Sequence, residues 1–273
     1  MANIVTVAEV RTLTGIPSDL LSDTSITEKI TLSQEKALDY FNVYITPTLV
    51  TEIKDGNNKY QIMINKPYIL KLVSLKTKTS TISLENTNIN YRSGIITMDS
   101  TSAPSLFPAN INNIKIKYLS AFMSKTDTVT ETTAATTAGT SVSISVDSES
   151  GFANDDWVIV EGLDNHFEVA KVTSTSSGTI VVDELLQTHE NESLITKVQT
   201  HPLLKQFILY ESAVAAGIDV IGASYTFNTS YTLEGVAVTK GVPYPHFEKN
   251  VNENIKQRDI LRNQIMNKLN SIA

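Results

Sequence analysis

The spacing of apolar and polar residues changes several times along this chain, and each change marks an element. Over roughly the first 45 residues the apolar positions recur every three to four residues, as one face of a helix requires. Thr6 with Glu9 and Ser25 with Glu28 have capping-box spacing, in which two residues satisfy each other's unpaired backbone donors. The pattern predicts two helices, the first ended by Gly15 and then Pro17. In the second, Ile26, Ile30, Ala37, Phe41 and Tyr44 form one stripe, and Glu28, Lys29, Glu35 and Lys36 point elsewhere. A helical hairpin with one buried side is expected.

A period of two then takes over, from about Thr51 to Ser120. Ile114, Ile116 and Tyr118 keep it cleanly, whereas Ile69, Lys71, Val73 and Leu75 follow it only loosely. Asp55-Gly56-Asn57-Asn58 and Ser93-Gly94 read as turns. Residues 126–141, dominated by threonine and alanine, read as an exposed strand-and-loop entrance to an insertion. Short alternating strands follow at roughly ten-residue spacing up to residue 198, a pattern that predicts a small β-barrel or sandwich.

Helix returns at His201-Pro202, where proline suits a first turn whose donors are unpaired in any case. Leu203, Leu204, Phe207, Ile208, Leu209, Val214 and Ile218 leave little polar face, while Ala213, Ala216 and Gly217 keep one side small enough for close approach. A Tyr/Thr-rich hairpin over 224–239 leads to a long helix from about Pro245 to Ser271. There Phe247, Val251, Ile255, Leu261, Ile265, Met266, Leu269 and Ile272 span an arc of about 140°. The expected fold is α+β. A helical core (N-terminal hairpin, central helix, long C-terminal helix) carries a β-sheet module over 1–125 and 200–273, with an inserted β-barrel or sandwich over 126–199.

Composition narrows the function classes. With a net charge of −7, the chain lacks the basic surface that grips duplex DNA without regard to sequence. The absence of cysteine removes disulfides, thiolate metal sites and cysteine nucleophiles. No run of about 18 apolar residues predicts a membrane span, and the N-terminus does not read as a signal peptide.

Candidate chemistry is sparse. Glu161, Asp164, His166 and Glu168 form the densest oxygen and nitrogen cluster, but only His166 and Glu168 share a strand face, so a solvated hairpin is the simpler expectation over a metal site. His189-Glu190-Asn191-Glu192 has a calcium-like composition without calcium-loop spacing. Asp155-Asp156 before Trp157, the single tryptophan, could serve sugar binding or glycoside hydrolysis; the plainer expectation is a turn into a strand whose tryptophan fills the insertion's core. No G-x-S-x-G elbow and no glycine-rich phosphate cradle occurs. The reading is of a non-enzymatic protein with no cofactor and no metal.

The last helix breaks its own pattern. Arg258 and Arg262, one turn apart, fall inside the apolar arc, and Ile260 falls outside it. One reading places Arg258, Ile260, Arg262, Ile265 and Leu269 in a contact with a partner or another subunit, where the planar guanidinium is favoured. The other lays the arginine stems along apolar surface, or pairs Arg258 with Asp259 within the chain.

The order of these parts resembles the head–tail connector (adaptor) proteins of tailed bacteriophages. The resemblance rests on Lys66-Pro67-Tyr68-Ile69, Val73-Ser74-Leu75, Tyr91-Arg92-Ser93-Gly94-Ile95-Ile96 and Ile116 to Ala121, then His201 to Phe207 and Tyr231 to Val236. It covers roughly 1–123 and 200–273; the β-rich 126–198 segment has no counterpart in it. The resemblance implies a structural virion protein of the neck, assembled in the host cytoplasm as a homo-oligomeric ring of about twelve copies. Portal protein would lie on one side of the ring, a stopper or tail-completion protein on the other, with genomic DNA passing through without specific binding. A carbohydrate-binding or host-recognition module using the inserted β domain is the alternative. Behind it stand a tail-completion or baseplate protein and, last, a hydrolase.

Overall fold

The computed structural model describes residues 3–66, 68–84, 87–90, 93–98, 106–162, 167–225, 231–233, 236–238 and 244–270. Pro67, Tyr91, Arg92, Glu234, Gly235, Ser271 and Ile272, on which parts of the sequence reading rest, lie outside them. The chain divides into two compact units, Met1–Asn42 with Pro202–Ala273, and Val43–His201.

The first unit is helical: α1 (Val7–Thr14), α2 (Asp23–Phe41), α3 (Pro202–Tyr225) and α4 (Tyr244–Asn270), with a hairpin of β14 (Tyr231–Leu233) and β15 (Val236–Val238). The capping box at α1 is complete. Thr6 Oγ1 accepts the Glu9 N–H at 3.2 Å, and Glu9 accepts the Thr6 N–H at 2.7 Å. Gly15 closes the helix in the left-handed conformation at φ 69°. The start of α2 lies earlier than Ser25, because the Ser22 hydroxyl accepts the Ser25 N–H at 3.2 Å and caps the helix one turn sooner. Asn42, at φ 53°, ends α2 before Tyr44, so Tyr44 leaves the predicted helical stripe and packs in the second unit.

Ile26, Ile30, Ala37 and Phe41 are buried on α2, as are Leu204, Phe207, Ile208, Ala213, Val214 and Ala216 on α3. The small side of α3 receives α4. A Cβ at Gly217 would stand 2.3 Å from Val251 Cγ2, so only glycine permits this approach.

Among the described residues, the regular elements of the second unit are all strands. β1 (Thr48–Gly56), β7 (Asn110–Ser120), β3 (Ile69–Thr77) and β4 (Thr81–Ile82) form one sheet in that order. Facing it is a smaller sheet of β2 (Gln61–Met63), β6 (Ile95–Met98) and β5 (Thr87–Asn90). Ile62, Ile96 and Met98 of the smaller sheet meet Leu72, Leu75, Ile114, Ile116 and Tyr118 of the larger in one core.

A third sheet has the order β8 (Met123–Glu131), β13 (Leu194–Thr200), β10 (Trp157–Glu161), β11 (Phe167–Ser176), β12 (Thr179–Leu185) and β9 (Gly139–Ser145). A bridge between Thr132 and Val146 joins its two outer strands at one end and curls the sheet around a core of Ile144, Val158, Val160, Val172, Ile180, Val182 and Ile195.

The expected helical core with an inserted small β domain is therefore wrong. Among the described residues, three antiparallel sheets besides the β14–β15 hairpin hold 13 strands against four helices, and strand outweighs helix. Strands 43–122 share a compact unit with the β-rich segment that follows them, and the helices form a unit of their own. The physical reason is that strand pairing is non-local. β7 pairs on both sides, with β1 and with β3, and buries Ile114, Ile116 and Tyr118 completely. Among the described residues, no helix is long and apolar enough to cross a membrane.

Candidate functional site

A groove of about 500 Å³ runs between α2, α3 and α4, lined by Lys36, Asp39, Tyr40, Phe207, Glu211, Arg258 and Arg262. Its floor is aromatic: Phe41 and Phe207 meet edge-to-face at 4.9 Å, and Tyr40 packs against Phe41 at 5.5 Å. Glu211, on α3, is nearly buried and accepts from Lys36 Nζ at 2.8 Å and from Arg258 at 3.3 Å. Arg258 also pairs with Asp259 at 2.8 Å. Partial burial opposes its charge, but Asp259 and Glu211 outweigh that and hold its guanidinium above the ordinary arginine value.

Arg262 differs from its neighbour. Its guanidinium lies 5.0 Å from the centre of the Tyr40 ring, and among the described residues it has no carboxylate partner. A guanidinium placed against a ring face keeps its charge and has donors to spare for an acceptor.

The structure separates the five residues singled out in the sequence. Arg258 and Arg262 line the groove; Arg258 carries the intrachain pair with Asp259. Ile260 is 49% exposed, while Ile265 is fully buried and offers no surface to a partner. Leu269 is half-buried near the end of α4. Glu211, Lys36 and Tyr40 complete the groove and were not singled out. The signal for Glu211 was an acid inside the most apolar helix of the chain.

The second unit contains a buried polar cluster. Glu168, on β11 and 3% exposed, accepts from the backbone N–H groups of Leu186 (2.8 Å) and Gln187 (2.9 Å). It also contacts His189 Nε2 at 3.0 Å and Lys71 Nζ, from β3, at 3.3 Å. Burial opposes ionisation, but His189, the two backbone donors and Lys71 together hold the Glu168 carboxyl below its ordinary value. Lys71 donates in addition to the Glu184 carbonyl at 2.9 Å. The cluster ties β3 to β11 and so joins the paired sheets to the curled one. Its sequence signal was Lys71, the residue that spoiled the alternation of its strand.

The sequence-based metal and sugar candidates do not assemble among the described residues. Asp164 and His166 lie outside them, Glu161 pairs with Lys125 at 2.6 Å, and Glu168 faces the buried cluster. No three His, Asp or Glu side chains among the described residues are placed to hold a metal ion. His189 is buried and bridges to Thr136 rather than lying in an open loop. Asp155 is bound to Lys171, and Asp156 to Lys197 at 2.7 Å.

Trp157 does not fill the core of the curled sheet. Successive residues of β10 face opposite ways, so Val158 and Val160 enter that core. Trp157 and Ile159 pack instead against Leu70, Ala121 and Val169 at the junction with the paired sheets.

No protein-family model matches the chain, and no curated protein matches it. The connector resemblance therefore rests on this chain's own motifs.

Proposed function

We propose that the chain is a non-enzymatic structural protein of a bacteriophage neck, a head–tail connector that forms a ring between the portal and a stopper or tail-completion protein. In this role it belongs to the virion, and copies of it surround the DNA exit channel without gripping the genome. The order of the elements carries the reading: α1 and α2, then the paired sheets, then, after the curled sheet that has no counterpart in the resemblance, α3, the β14–β15 hairpin and the long α4 come in the order of its motifs.

The groove supports it. An aromatic floor and the cation Arg262, which has no carboxylate partner among the described residues, make a surface suited to a protein segment bearing a carboxylate. A net charge of −7 on each copy gives a ring that repels passing DNA rather than holding it.

The test is native mass spectrometry and negative-stain imaging of the full chain mixed with the portal protein of the same genome. A ring of this chain seated on portal is expected. A chain that stays monomeric and never binds portal overturns the reading.

A further inference from the structure

Two surface patches of the β unit carry opposite charge, and neither finds its counter-charge within the described residues. On the outer face of the paired sheets, Lys76 stands directly opposite Lys115 across the β3–β7 pair, and Lys117 lies two residues along from Lys115. Like charges placed directly across strands destabilise a sheet. None of the three has a carboxylate partner among the described residues. Ile53, on β1, stands opposite Lys115 and is 59% exposed.

The second patch lies along β8. Asp127 and Glu131 are exposed there, and Asp147 joins them because its N–H donates to the Glu131 carbonyl at 3.1 Å. Glu192 comes alongside through its N–H to the Thr132 carbonyl at 3.0 Å. Val129 and Leu194, 55% and 40% exposed, supply the apolar part, and Leu194 stands opposite Glu131. The lysine of this strand, Lys125, is already held by Glu161. No three of these acids are placed to hold a metal ion, so their charge is spread over a surface, as the lysines' charge is.

We propose that the basic face of one copy docks on the acidic patch of a second copy of this chain. Lys76, Lys115 and Lys117 then face Asp127, Glu131, Asp147 and Glu192, and Ile53 meets Val129 and Leu194. Aliphatic residues within both patches suit a protein contact, whereas a nucleic-acid backbone makes no use of them. Because the two patches differ, each contact leaves one of each kind open, and repetition closes a ring or extends a filament. The contact specifies how copies of the proposed ring meet and rests on that reading.

Sedimentation of the full chain at about 50 mM salt, over protein concentrations from about 1 μM to 1 mM, tests it, since exposed charges are less screened there. The wild type is expected to self-associate. Lys115→Glu with Lys117→Glu, or Asp127→Lys with Glu131→Lys, is expected to weaken association by about 30-fold or more. Mixing the two variants restores it, because each altered surface finds a complement on the other. A monomeric wild type, association indifferent to either reversal, or reversals that abolish duplex-DNA binding but leave association unchanged overturns the contact. Portal capture, measured separately, distinguishes the two levels: indifference to reversal with capture intact removes this contact and leaves the neck reading standing.

Discussion

Replacing Glu168 by alanine tests whether the buried cluster locks the two β bodies together. The carboxylate accepts two backbone donors and contacts both His189 and Lys71, and the Lys71 side chain is itself only 7% exposed. Removing one partner of a buried ion pair leaves the other charge without compensation and costs about 3–5 kcal/mol. Glu168→Gln keeps an oxygen for only one of the two backbone donors, which sit on different carboxylate oxygens, and it leaves Lys71 without its counter-charge, so it is expected to cost a similar amount, about 3–5 kcal/mol. Adding Lys71→Met to Glu168→Gln removes both charges and should recover part of that loss, with a coupling of about 1–3 kcal/mol.

Urea denaturation followed by tryptophan fluorescence is the suitable assay. Trp157 is the single tryptophan and packs at the junction itself, so its signal reports the unit in question. Because the Glu168 carboxyl is held below its ordinary value of 4.5, its contribution is full above that pH and is lost as pH falls through the lower folded value. Loss of less than about 1 kcal/mol in Glu168→Ala, or a double variant no more stable than Glu168→Gln, would refute the lock.

Three further outcomes are expected. Burial, reinforced by Glu52, pushes the Tyr118 hydroxyl well above its ordinary value of 10.0, so its contribution persists below that pH and is lost in stronger alkali; Tyr118→Phe should blunt alkaline unfolding, read by circular dichroism, at a cost of about 1 kcal/mol near neutrality. Gly217→Ala forces a methyl against Val251 and should destabilise the helical unit by about 1–3 kcal/mol in thermal melts, with compensation by Val251→Ala. Arg262→Ala should cost at most about 1 kcal/mol of stability, since only a ring contact is lost, yet weaken portal capture at least about tenfold in a binding titration.

The groove was half legible. Arg258 and Arg262 stood out because they interrupt an apolar arc, and both line it. Tyr40, Lys36 and Glu211 were not visible as its partners, since two other helices, α2 and α3, bring them there and nothing local ties them to α4. In the β unit, Lys71 showed itself only as an irregularity. Glu168 and His189 lie far from it in sequence and meet it only through sheet packing.

The chain's own pattern determined what depends on neighbours within a few residues. The capping box at Thr6 and Glu9, the stop at Gly15, the alternation of Ile114, Ile116 and Tyr118, and the extent of the last helix are of this kind. These follow from backbone donors and from periods of two and 3.6, which are read locally. Tertiary structure alone decided which side of β10 Trp157 takes, which sheet each short strand joins, and that β structure outweighs helix. A strand of four or five residues gains stability only from partners remote in sequence, so its weight in the fold becomes apparent only after pairing.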